Sequence, residues 1–428
     1  MLSSFTIASV LSVLAVSVQA VPCVQFDANW NLYAFGGSSD VKLGTSDSWS
    51  SPNPTTLSTS GRPPWTGQNT QCILSQTNNA MYVIGGDSDL SKIYIYNFAS
   101  DSWSTQTTAS APSDLGNSRS ASVLDHDTNT LFTLTTGSGL YQIDMSSVTN
   151  AASGSALNWE AVESPSFSVS GYTVTAAQAA NHIFYLGVPG TAAGSANVFV
   201  VHYAYFQPTA QAFSGSAFPN SAGQAISIPN AGDNVPYQIV FVPNDFSNTY
   251  VLSHWTDLGD YTITTGAPFA VDRINSTQTL PAPSSQDNAA AYAASPSAIV
   301  QVDASGNIYY LNNPVGSDYT VSSSATWQKL SYTLATSGGS SNTTSSTNSS
   351  SSSTTSAAVG VGSLTPSASG TGSRSASRSA SASGSGASAA AGTASAAASS
   401  AVGRVSVARG DVLGLAIGFV ALAAGMLL

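Results

Sequence analysis

Ser75-Gln-Thr-Asn-Asn79, followed by Met81-Tyr-Val-Ile84 and Gly85-Gly86, is a polar turn, an asparagine, a short apolar strand and a glycine pair. The same phrase returns on both sides of it. Asp27-Ala-Asn-Trp-Asn31 precedes Leu32-Tyr-Ala-Phe35, and Asp125-His-Asp-Thr-Asn129 precedes Leu131-Phe-Thr-Leu134. Ala177-Gln-Ala-Ala-Asn181 precedes Ile183-Phe-Tyr-Leu186, and Asn244-Asp-Phe-Ser-Asn248 precedes Tyr250-Val-Leu252. The last is Asp303-Ala-Ser-Gly-Asn307 before Ile308-Tyr-Tyr-Leu311. The asparagines step by 48, 50, 52, 67 and 59 residues. A period near 50 built from a few short strands predicts the blades of a β-propeller. Six units fill the span 21–336, and seven is the alternative count if the long fourth and fifth units hold an extra blade.

Within a unit the apolar residues form short continuous runs, as in strands packed on both faces. The asparagine ahead of each run fits a turn position that needs a left-handed backbone, which Asn tolerates. The glycine pairs let backbone pass close to the propeller axis. Unit two continues Tyr94-Ile-Tyr96-Asn97 with Trp103 seven residues after Tyr96. A glycine pair, a tyrosine strand and a tryptophan at this interval resemble the kelch repeat. The first unit keeps Gly36-Gly37 and Trp49, the third Tyr141 and Trp159, and the sixth Tyr319 and Trp327. The resemblance covers the head alone and implies an all-β, kelch-like propeller whose Trp and Tyr residues mostly pack between sheets. Cys23 and Cys72 each lie ten residues before a strand tyrosine, Tyr33 and Tyr82. They therefore match in neighbouring blades and are expected to pair.

The ends of the chain say where the head is held. Leu11 to Val18 is apolar and Val18-Gln-Ala20 suits a signal peptidase, so residues 1–20 read as a signal peptide. Residues 337–400 contain no aromatic residue and are dense in Ser, Thr and Ala, a composition that cannot bury enough apolar surface to fold. They read as a disordered, glycosylated stalk. Residues 401–428 combine a spacer with the uncharged tail Val412 to Leu428, behind Ala398-Ser399-Ser400. That is the layout of a glycosylphosphatidylinositol anchor signal attached at Ser399, with a single-pass membrane segment as the alternative. Sequons at Asn275, Asn342 and Asn348 are expected N-glycosylation sites on such a route. A Ser/Thr-rich stalk with an anchor tail resembles fungal surface proteins.

Charged residues make up 7% of the chain and the formal balance is −11, with no basic run. Nucleic acid is therefore not an expected partner. Secreted kelch-type propellers include copper-radical oxidases such as galactose oxidase, whose chemistry needs two histidines, two tyrosines and a free cysteine. The four histidines, His126, His182, His202 and His254, are scattered, and no pair stands out as ligands. Sialidase-like hydrolysis would need clustered arginines, and Arg62, Arg119 and Arg273 are far apart in the repeat. No nucleophile elbow, phosphate loop or zinc spacing is present. The expectation is a non-enzymatic head, with no cofactor and no metal, that binds a cell-wall polysaccharide, a glycan or another surface protein. A secreted oxidase or glycan-modifying enzyme is the alternative. The 67-residue step from Asn181 to Asn248 reads as an inserted loop, Ala204 through Asp233. Trp255, with His254 and Asp260 beside it, is the first candidate ligand-binding group, and Trp65 the second. Aromatic faces beside carboxylates suit sugar rings.

Overall fold

The computed structural model describes residues 22–336 except 68, 118, 231–234 and 255–274. The expected signal peptide, stalk and anchor segment with Ser399, and the sequons at Asn342 and Asn348, lie outside the described residues. Among the described residues no helix is long and apolar enough to cross a membrane.

Six antiparallel blade sheets follow one another along the chain, the second and third joined at their outer edges by a short parallel pairing into one continuous eight-stranded sheet. The first joins β1 (Cys23–Phe26), β2 (Leu32–Phe35), β3 (Val41–Gly44) and β4 (Thr55–Thr56), and the second β5 (Gln71–Ser75), β6 (Ala80–Ile84), β7 (Lys92–Asn97) and β8 (Ser102–Ala109). The third holds β9 (Ala121–Leu124), β10 (Thr130–Thr135), β11 (Gly139–Asp144) and β12 (Leu157–Glu163). In the fourth are β13 (Ala176–Ala179), β14 (His182–Tyr185), β15 (Ser195–Val200) and β16 (Tyr205–Phe206), with β17 (Gln211–Ala212) also on β15. The short β18 (Ser214–Gly215) crosses to the outer edge of the fifth sheet and runs parallel to its last strand. That sheet is β19 (Gly223–Ile228), β20 (Gln238–Pro243), β21 (Thr249–His254) and β22 (Asn275–Leu280). The sixth is β23 (Ala291–Ser295), β24 (Ala298–Val302), β25 (Asn307–Asn312) and β26 (Gln328–Thr333).

The first strand of each sheet packs on the first strand of the next, from β1 through β5, β9, β13, β19 and β23, and β23 returns to β1. Each seam between sheets has its own apolar core. Val24, Phe26 and Trp49 of the first sheet meet Val300, Tyr310 and Leu334 at the sixth. Tyr33 and Phe35 meet Val83 and Tyr96 at the second. Tyr82 and Ile95 meet Leu131 and Trp159, and Phe132 and Leu134 meet Tyr185 and Phe199. Phe184 and Val198 meet Phe241 and Leu252, and Val240 and Val251 meet Ile299 and Leu311. Six blades with six seams close a ring. The head is a six-bladed β-propeller. Because β23 already touches β1, the ring leaves no place for the seventh blade held open above.

Each blade is built from consecutive strands, so no strand is shared between the two ends of the chain. Packing closes the sixth seam, helped by Ser38 N–H donating to the Ala335 carbonyl at 2.6 Å. Gly37 is required there, since a Cβ would stand 2.9 Å from the Ala335 oxygen and 2.8 Å from Leu334. Gly85 also meets backbone closely, since a Cβ there would be 2.5 Å from the Asn69 oxygen, just ahead of β5.

The repeat register read from the sequence holds for four blades and slips in two. Asn31, Asn79, Asn129 and Asn181 each end the turn from first to second strand. Asn248 instead precedes β21 and Asn307 opens β25, the third strands, and so both lie on the opposite face of the ring. Counted by first strands, the blades begin at Cys23, Gln71, Ala121, Ala176, Gly223 and Ala291, stepping by 48, 50, 55, 47 and 68 residues. The extra length is therefore in the fifth blade, between β21 and β22, not in the segment 204–233. The residues that supply it, 255–274, are not described.

The asparagines do two different jobs. Asn79 and Asn129 take positive φ, 48° and 55°, as expected. In the first, fourth and sixth phrases the left-handed residue is the one before, Trp30, Ala180 and Gly306. There Asn31 and Asn307 use their side chains instead, donating Nδ2–H to Asp27 at 2.8 Å and to Asp303 at 3.0 Å. These are side-chain bonds that fix a turn locally.

Candidate functional site

All four histidines lie on one face of the ring, the face of the turns from first to second strand, across blades three to five. The reason is the strand direction: second strands begin there and third strands end there. His126 and Asp127 sit in the β9–β10 turn, His182 opens β14, and His254 closes β21. His202 lies in the 3₁₀ turn Val201–Tyr203 that joins β15 to β16.

Two histidines far apart in sequence meet at the seam between blades four and five. His182 Nδ1 is 3.3 Å from His254 Nε2, and the rings cross edge to face with centroids 4.8 Å apart. His254 Nδ1 lies 2.7 Å from the side-chain oxygen of Asn275, the first residue of β22. A carboxamide oxygen only accepts, so the network puts the His254 proton on Nδ1, leaving Nε2 to accept from His182. Burial, with the neighbouring His182, holds His254 down to about 3, and burial, with His202 nearby, holds His182 down to about 4. Both imidazoles are neutral at pH 7.

The pair makes stability depend on pH. An unfolded histidine takes up its proton near pH 6.5 while the folded pair resists it until about pH 4 and below. Between those limits the unfolded chain binds more protons, so stability is full above pH 6.5 and falls as the pH drops toward 3. A melting temperature that declines across this window, and declines less in His254→Leu, is the expected result. A flat profile in the wild type would contradict the buried pair.

A second network joins blades three and four. The Gln178 amide donates to Asp125 at 2.7 Å and lies 3.1 Å from His126 Nδ1. His126 Nε2 is 3.2 Å from one oxygen of Asp127, and His202 Nε2 is 3.9 Å from the other. Among the described residues no group of three His, Cys, Asp or Glu side chains is placed to hold a metal ion.

The sequence candidates fare unequally. Trp65 is 3% exposed, with its ring centroid 6.5 Å from Phe35 and 6.1 Å from Trp103. It is a core residue of the seam between blades one and two, and the reading of it as a ligand group is withdrawn. His254 is buried at 4% exposure with both ring nitrogens facing protein, so it is not a surface contact for a sugar. Trp255 and Asp260 lie outside the described residues. His182 and His254, 72 residues apart, meet only once blades four and five are stacked, and they meet as hydrogen-bond partners of each other rather than as a pair of ligands. Arg62 is committed to the buried Asp40, at 3.3 Å. The sequon at Asn275 is unlike an open acceptor: its oxygen faces His254, and Ser276 and Thr277 are 7% and 4% exposed. Peptide mass analysis should find Asn275 bare, and a glycan there would show that the His254–Asn275 pairing does not form.

Cys23 and Cys72 are joined, with Cα atoms 6.4 Å apart on the adjacent first strands β1 and β5. Matching positions in neighbouring blades do come within bonding reach.

No family model and no curated protein matches this sequence. Among solved structures, one similar to this chain is a streptogramin B lyase, 10% identical, covering 74% of this chain and 84% of that one with a TM-score of 0.37. A likeness of that size carries no argument, and the propeller stands on its own sheets and seams.

Proposed function

We propose that this chain is displayed outside the cell, its propeller held away from a lipid-anchored surface by the Ser/Thr/Ala stalk, and that the propeller binds a glycan without acting on it. The observation that carries this reading is the Cys23–Cys72 disulfide, which leaves no free cysteine. A disulfide that uses both cysteines suits an oxidising, extracellular setting. It also takes away the thiol that a copper-radical oxidase needs for its tyrosine cross-link, which favours binding over that chemistry. The way His254 spends both ring nitrogens inside the protein supports the same choice. The finer resemblance to kelch repeats is part of this proposal. So are the signal peptide, the anchor at Ser399 and glycosylation of Asn342 and Asn348.

A panel of immobilised wall polysaccharides and surface glycans tests it. The expected result is saturable binding to at least one glycan with no peroxide and no new reducing ends. Peroxide release on alcohols or aldehydes, with stoichiometric copper, would replace this reading by the oxidase. Binding to a surface protein and to no glycan would keep the display and overturn the ligand.

A further inference from the structure

Tyr203 and Tyr205 are the two large hydrophobic side chains left exposed among the described residues, at 79% and 40%. They leave the fold together on the histidine-bearing face. The 3₁₀ turn Val201–Tyr203 ends at Ala204, which takes left-handed angles, φ 51° and ψ 48°, and the chain returns as β16. A non-glycine residue holds that conformation at a cost, so the surrounding structure must fix it. It does: Tyr205 pairs with Val200, and the next residue, Phe206, is buried with its ring 5.0 Å from Phe199 and 5.6 Å from Phe167. The tyrosines therefore stand on a rigid aromatic base rather than on a loose loop.

Polar groups share that face with them. His202, next to Tyr203 in the chain, is half exposed, and so is Asp127, whose carboxylate lies between His202 and His126, the latter backed by Gln178 of the next blade. Apolar ring faces on the same face as a carboxylate and an imidazole fit a ligand with a CH face and a rim of hydroxyls. An anionic ligand would meet the Asp127 charge. An apolar peptide would cover Asp127 and His202 without bonding them, which is unfavourable.

We propose that Tyr203, Tyr205, His202 and Asp127 form a subsite for an uncharged hexose unit of a polysaccharide. This rests on the glycan-binding reading above and adds the place and the class of sugar. The test is titration of the full-length protein with linear β-glucan, chitin and α-mannan hexasaccharides, and with an oligogalacturonide as the charged control. At least one neutral probe should bind saturably, and its affinity should fall about tenfold in Tyr203→Ala and in Tyr205→Ala. Tyr203→Phe, which keeps the ring face, should retain most of the affinity. Melting temperature checks folding, and Tyr203, with little of its side chain packed, is the cleaner variant. Unchanged affinity in folded Tyr203→Ala and Tyr205→Ala would overturn the subsite while leaving glycan binding in place. Tighter binding of the oligogalacturonide would overturn the uncharged class, and no binding of any probe would overturn both readings.

Discussion

Trp65→Ala should destabilise the head by about 3–5 kcal/mol, the range for removing a large buried aromatic side chain. The indole lies in the connection from blade one to blade two, 3% exposed, beside Phe35 and Trp103. Phe35 and Trp103 in turn lie 5.1 and 4.9 Å from Tyr96, whose hydroxyl donates to Asp101 at 2.8 Å. Truncation therefore opens a cavity among rings locked by their own contacts, where collapse is hard. Equilibrium unfolding in urea reads the loss. Glycan affinity, measured where the variant is still folded, should not change. A variant that melts like the wild type and has lost its glycan would make Trp65 a ligand residue after all.

The second large effect is expected from the disulfide. Cys23 and Cys72 close a loop of 49 residues in sequence separation. On the chain-entropy account a loop of that size contributes about 4 kcal/mol. The location gives the bond its importance. Blade one is complete in itself, so the ring has no shared strand to latch it, and β1 is held by packing on β23 and by this covalent tie to β5. Cys72→Ser paired with Cys23→Ser should lower the free energy of unfolding by that amount, read as an earlier midpoint in urea. Both cysteines belong to the same seam as Trp65. The triple variant should therefore lose less than the sum of the separate losses, since sites in contact are not additive. Simple additivity would place the two effects in independent parts of the fold.

Much of this architecture was legible in the residues, for a definite reason. Runs such as Met81-Tyr-Val-Ile84 are buried on both faces because blades stack on both sides of each sheet, so an unbroken apolar run at a period near 50 betrays the ring. The cysteine pairing followed from the same register. What misled was the asparagine phrase, which marks a tight turn and not a particular turn. In Asp303-Ala-Ser-Gly-Asn307 the Asp–Asn bond that makes the turn sits between β24 and β25, and the local chemistry is the same as in Asp27-Ala-Asn-Trp-Asn31 between β1 and β2. Nothing local distinguishes them, so the slip moved the apparent insertion by a whole strand pair. The site was harder. His182 and His254 stand at the start of a second strand and the end of a third, and only stacking the blades brings such ends together. Tyr203 and Tyr205 look in sequence like any strand tyrosines, and their exposure follows from the left-handed Ala204, which no residue type announces.

Peptide mapping of the protein isolated from its natural source, under non-reducing conditions, tests the claim of extracellular display most directly. The account predicts a mature chain that begins at Val21, with Cys23 and Cys72 joined to each other. A chain that keeps Met1 and carries both cysteines as free thiols, or a cysteine bonded to a tyrosine ring, would contradict it.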